Sequence, residues 1–182
     1  INPKYLPSAN NYKVYTALLT QSGGDDPSVF QNLDNGTLVI GKTYEISNYD
    51  TGDDFTNVGA PSNANGVKFV ATGTTAASWT GVTELNFNNG APVVKVLENT
   101  IGNIWIERGG IGSYRVTSNS LFTINKTAIL IGTRDTSACA NSGINYALYA
   151  NINNVDITTV DTSDTTMDDN LYNTLIEIRV YN

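Results

Sequence analysis

The side chains with the clearest capacity for chemistry are carboxylates, and they gather in three places: Asp25-Asp26, Asp50 with Asp53-Asp54, and Asp161 with Asp164 and Asp168-Asp169. Closely spaced carboxylates repel one another unless hydrated or neutralised, and a hard cation such as Ca2+ takes oxygen ligands of this kind. The strongest candidate is the set Asp161, Asp164, Asp168 and Asp169, which falls within nine positions. None of the three clusters has the regular ligand spacing of a helix-loop-helix calcium site, so solvated turns are the plainer reading and no other cofactor is implied. Glycoside hydrolysis asks instead for two carboxylates that meet in space. The five glutamates are Glu45, Glu84, Glu98, Glu107 and Glu177. Of these, Glu45, Glu107 and Glu177 alternate with apolar neighbours as solvent-facing strand residues do.

The remaining motifs are weaker. Asp50-Thr51-Gly52 matches the tripeptide whose aspartate shares a proton with a second carboxylate in aspartic proteases. There an apolar strand leads into the tripeptide, whereas here Ser47-Asn48-Tyr49 precedes it and Asp53-Asp54 follows, which reads as a turn. Trp79, in the loop-like Ala77-Ser78-Trp79-Thr80-Gly81, is the aromatic least easily assigned to a core and is the glycan-contact candidate, since an apolar ring face suits stacking on a sugar. Trp105 and the ten tyrosines mostly fall at alternating strand positions, where packing is the commoner use. Cys139 has no partner cysteine and reads as a buried thiol. Asn35-Gly36-Thr37 and Asn125-Lys126-Thr127 match the N-glycosylation pattern, which so Asn- and Thr-rich a chain produces by chance.

Absent residue types exclude more than present ones suggest. The 182 residues contain no histidine and one cysteine. Serine or cysteine triads, histidine-bearing metal and haem sites, intrachain disulfides and cysteine-ligated clusters are thereby removed. No catalytic residue is assigned, and the chain is read as a non-enzyme. A net charge of −7 and a pI near 4.3 argue against a nucleic-acid partner, which normally needs a basic stripe. No apolar run approaches the ~18 residues that span a bilayer, so no membrane partner is expected either. The chain opens on Ile1 and reads as processed or as part of a longer polypeptide.

The elements that must position these residues are strands. Apolar residues recur with period two between Gly, Asn, Asp and Pro, which predicts strands at Tyr12–Gln21, Thr43–Asn48, Val67–Thr72, Pro92–Asn99, Ile104–Arg108, Ser113–Ser118, Ala128–Thr133, Tyr146–Ile152, Asp156–Val160 and Ile176–Tyr181. Short helical turns are expected only at Pro27–Asn32 and Asp168–Asn173. Two hairpins are legible, one turning through Arg108-Gly109-Gly110-Ile111-Gly112 and one through Asn153-Asn154. Polar, turn-rich boundaries near Ser22–Pro27 and Asn88–Pro92 mark residues 27–90 as an inserted small β domain, with Val39, Ile40, Tyr44, Ile46, Phe55, Val58, Val67, Phe69 and Trp79 as its own apolar set. Residues 1–26 and 91–182 form the main domain. The expected fold is all-β, an antiparallel, jelly-roll-like β-sandwich carrying that insertion.

Three strings carry a resemblance: YKVYTALLTQSG at 12–23, APVVKVLENTIGNIWIERGGIGSYRVTS at 91–118, and ALYANINNVDITTVDTSDTTMDDNLYNTLIEIRVYN at 147–182. Together they resemble a family of proteins encoded by bacteriophages and environmental viral genomes, in whose simpler members the first string runs almost directly into the second. The insertion, through GKTYEISNYDTGDDFTNVGAPSNANGVKFVATGTT at 41–75, resembles a small β module of phage structural and tail-associated proteins. The resemblance implies a virion component of the head surface or tail, with other virion proteins as partners and no catalytic motif. The expected location is the outer surface of the virion, or the extracellular space. A particle protein of this kind acts by packing, as capsid decoration or as a tail or fibre component, and closes its edges by homo-oligomerisation, with a trimer favoured. The alternative is a carbohydrate-binding or host-attachment module that meets a cell-surface glycan.

Overall fold

The computed structural model describes residues 11–21, 30–133 and 143–182. Within them the chain is all-β, in three antiparallel four-stranded sheets. The strands are β1 (Tyr12–Thr20), β2 (Gln31–Leu33), β3 (Thr43–Asn48), β4 (Lys68–Val70), β5 (Glu84–Phe87), β6 (Val93–Asn99), β7 (Ile104–Gly110), β8 (Ser113–Ser118), β9 (Thr127–Ile131), β10 (Ile144–Tyr149), β11 (Asn154–Val160) and β12 (Thr174–Tyr181).

Two sheets make the sandwich. One has the order β6-β1-β12-β9 and the other β10-β11-β8-β7. Their alternating strands turn one face inward, so Tyr15, Ala17, Leu19, Ile176 and Ile178 from the first sheet meet Ile106, Tyr114, Val116, Val155 and Ile157 from the second in one core. After the β7-β8 hairpin the chain crosses to β9, returns for β10 and β11, and crosses again to β12. β12 lies between β1 and β9, with Ile178 opposite both Tyr15 and Ile129. The last strand in the chain is therefore central in its sheet.

The third sheet, β2-β5-β3-β4, belongs to the insertion and encloses a separate cluster of Leu38, Tyr44, Ile46, Phe55, Val58, Phe69 and Leu85. Five members of the expected apolar set are buried there, with Val67 and Trp79 at its margin, but Val39 and Ile40 are exposed. Leu38 takes the core position instead, its amide held by Thr74 O and the next amide by the Tyr44 hydroxyl. This unit abuts one side of the sandwich. Val94 N of β6 donates to Gly41 O at 2.8 Å, and Ile106 N of β7 donates to Thr43 Oγ1 at 3.2 Å. Gly41 has φ +85°, and a Cβ there would fall 2.4 Å from Val94 O, so the close approach requires glycine.

Neither helical turn expected from sequence is found among the described residues. Gln31 and Asn32 lie in β2, where pairing with Phe87 and Asn86 satisfies the backbone as a ladder; Pro27–Val29 fall outside the described residues. Asp169 and Asn173 adopt φ of +60° and +46°, which a right-handed turn excludes. The β7-β8 turn is tighter than its glycines suggest, because Arg108 to Gly110 form a bulge inside the strand and only Ile111 and Gly112 turn. At the second hairpin β10 stops at Tyr149, since Ala150 and Asn151 both donate to Asn154 O and close the loop early.

Candidate functional site

A groove runs along the seam where the insertion meets the second sandwich sheet. At its centre is Lys68 of β4, whose Nζ lies 2.6 Å from Glu107 Oε1 of β7 and 3.6 Å from Glu45 Oε2 of β3. Burial acts to lower the lysine pKa, but the hydrogen bond and charge of Glu107, with the charge of Glu45, outweigh it and hold the group above its ordinary value. Asn103 Nδ2 reaches Lys68 O at 3.0 Å and pins the same strand from the sandwich side.

Two cavities share Lys68 and Glu107 as lining residues. The first, of about 220 Å³, is walled by Phe30, Tyr44, Phe87, Tyr114, Arg108 and Arg115. The second, of about 370 Å³, is walled by Ser62, Asn65, Asn103, Trp105, Thr117 and Asn119. Trp105 points away from the sandwich core and is covered by the insertion, leaving it 7% exposed. Its Nε1 is buried without a hydrogen-bond partner.

The carboxylates of the sequence reading are dispersed. Asp168 accepts from the Arg108 guanidinium, from Gly112 N at 2.9 Å and from the Tyr114 hydroxyl at 3.0 Å. Asp161 accepts from Ser163 N and Thr165 N and so closes its own loop, where Asp164 sits at φ +62°. The backbone of Asp169 donates to Gln21 Oε1. Of the four candidate Ca2+ ligands Asp161, Asp164, Asp168 and Asp169, the carboxylate of Asp161 thus closes its own loop and that of Asp168 joins a buried ion pair. Among the described residues no three acidic or cysteine side chains converge as a metal site would need.

Asp50-Thr51-Gly52 is a turn, with Gly52 at φ +111° and Asp53 N donating to Asp50 O. The buried aspartate is Asp53, whose carboxylate accepts from the amide and hydroxyl of Thr80. Burial pushes its pKa up, and hydrogen bonds from Thr83 and Thr80 more than reverse this, leaving it below the ordinary carboxyl value. Glu45 and Glu107 do face the same groove, although the alternation in each strand says only that they leave their own cores. The Lys68 ammonium occupies the space between them, where a glycosidic oxygen would have to sit.

Trp79, the expected glycan contact, has another task. Its ring packs edge-on against Phe55 at 5.2 Å and its Nε1 donates to Thr83 O at 2.8 Å, which closes the insertion's core. Asn35 and Asn125 are exposed in turns, and Cys139, Asp25 and Asp26 lie outside the described residues. What sequence reasoning missed is the seam itself. Trp105, Asn103 and Asn119 come together with Ser62 and Asn65 only because the insertion folds back over β7, and strand periodicity carries no signal for that. No family model, curated protein or solved structure matches the chain.

Proposed function

We propose that the chain is a non-enzymatic structural protein of a phage-like particle, exposed on the outer surface as capsid decoration or as a tail or fibre component, and that it acts by packing against copies of itself and other virion proteins. The observation that carries the packing is a row of exposed apolar side chains on one border of the sandwich. β10 presents Ile144, Tyr146 and Leu148 outward, the last 69% exposed. A contiguous apolar patch of this sort marks an association surface.

The sheet edges point the same way. On the other border, β6 and β7 are capped by Gly41 and Thr43 of the insertion. The edges at β9 and β10 meet each other, through Asn145 Nδ2 and Gly132 O, with no strand added beyond them among the described residues. An uncovered edge beside an apolar row is a liability for a free monomer and suits a closed ring of subunits, for which we favour a trimer. The resemblance of the flanking strings supplies the virion setting.

Light scattering on the purified chain tests this. The expected result is a mass three times the 19.5 kDa chain, falling to one chain in a Leu148→Lys variant that keeps its circular dichroism. A parent chain that remains monomeric at high micromolar concentration overturns the packing role.

A further inference from the structure

We propose that the seam between the insertion and the sandwich is a binding site for a neutral glycan, with the Trp105 cavity as its principal subsite. This goes beyond the packing role and involves the opposite border of the sandwich.

The cavity, about 370 Å³, falls within the range of small-ligand sites and lies between two separately packed cores, where such sites are common. Its lining is unusual for an apolar ligand. Ser62, Asn65, Asn103, Thr117 and Asn119 surround one large aromatic side chain, Trp105. Much of their hydrogen-bonding capacity is unused within the described residues. Asn65 spends its carbonyl oxygen on Tyr49 N and Asn103 its amide on Lys68 O, which leaves the Asn65 amide and the Asn103 carbonyl. Mixed donors and acceptors at the cavity wall match the alternating hydroxyls of a pyranose.

Charge selects among polar ligands. The cation of this cavity, Lys68, is already paired with its charged neighbour in the lining, Glu107, so an arriving phosphate, sulfate or carboxylate meets one negative group and one engaged positive one. A neutral sugar incurs no such repulsion. The chain of a longer glycan has room to continue past the Lys68–Glu107 pair into the first cavity, where the exposed Phe30 offers a ring face. Both walls are needed, since Ser62 and Asn65 come from the insertion and Asn103, Trp105, Thr117 and Asn119 from the sandwich.

The test uses the full chain on an array of neutral glucose, galactose, mannose and N-acetylglucosamine oligosaccharides, with sialylated and sulfated glycans as the anionic arm. At least one neutral glycan should bind. A Ser62→Ala, Asn119→Ala double variant should weaken it by roughly tenfold or more, the scale of two lost polar contacts. In a Trp79→Phe chain, Trp105 is the sole tryptophan, and its emission should change on titration with that glycan. Calorimetry on the parent and the double variant gives the same comparison if Trp79→Phe does not fold. Binding of no neutral glycan, binding of anionic glycans alone, or affinity unchanged in the double variant overturns the proposal.

Discussion

Asp168 is the residue whose substitution best tests the account of the loop before β12. Its carboxylate joins the Arg108 guanidinium, the Gly112 amide and the Tyr114 hydroxyl, so one side chain ties the loop to both strands of the β7-β8 hairpin. The Arg108 side chain is 0% exposed and that of Asp168 14%. Asp168→Asn keeps the size and removes the charge. The cost is set by what remains, a guanidinium sealed from water and deprived of its counter-charge. Breaking a buried pair from one side costs about 3–5 kcal/mol. Arg108 has contacts beyond Asp168, which places the expectation near the lower end, at about 3 kcal/mol. For a chain of this length each kcal/mol moves the melting temperature by roughly 2–4 °C, so the variant should melt about 6–12 °C below the parent. The comparison is Asp156→Asn. That carboxylate pairs with Arg115 at 2.8 Å, but the two side chains are 43% and 50% exposed, and the expected loss is about 0.5 kcal/mol. Urea and thermal unfolding of the three proteins, followed by circular dichroism, would measure both differences. An Asp168→Asn variant that melts within a degree or two of Asp156→Asn would refute the reasoning, because burial would then not be what gives the pair its weight.

Deleting Ile176–Asn182 removes most of β12 from between β1 and β9 and takes Ile176, Ile178 and Val180 out of the core. The truncated chain should show no cooperative melt, and one that keeps the parent's melting temperature would contradict the central placement of that strand. Asp53 gives a pH dependence whose sign follows from its lowered pKa. The unfolded chain takes up the proton first as pH falls, so the stabilisation is fully present above the ordinary carboxyl range and is lost as pH drops through the depressed folded value. Asp53→Asn should therefore destabilise at neutral pH by roughly 1–3 kcal/mol, with the gap to the parent narrowing as pH falls below the ordinary carboxyl range in a series of melts.

Strand periodicity carried most of the sandwich because its strands are half-buried, and burial of one face is what period two records. β12 shows this, with Ile176, Ile178 and Val180 inward and Glu177 and Arg179 outward. β2 and β5 were illegible for the converse reason. Three and four residues long, they have too few positions to establish an alternation, and they exist because each supplies the other's ladder bonds. The expected helical turn at Asp168–Asn173 misled because an aspartate before a polar run offers its carboxylate to whichever donor is nearest, and one of those donors proved to be an arginine sixty positions earlier. The groove was hidden at a third level. Glu107 read correctly as a residue outside a core, while its meeting with Lys68 depends on the orientation of one unit against another.

That orientation also explains why an insertion belongs between β1 and β6. A two-sheet sandwich has four edges, and here the strands at one border, β6 and β7, would lie bare without the segment that interrupts the chain just before β6. Backbone donors of both strands are taken by Gly41 and Thr43, which sit at the entrance to the insertion's first long strand. These bonds are buried and fix the seam. The Lys68–Glu107 pair beside them is about one-third exposed and adds little to stability. The two borders of the sandwich are consequently different in kind. One is sealed by the chain itself, through polar contacts that leave a polar groove, and the other ends in a row of apolar side chains on β10 that is exposed among the described residues.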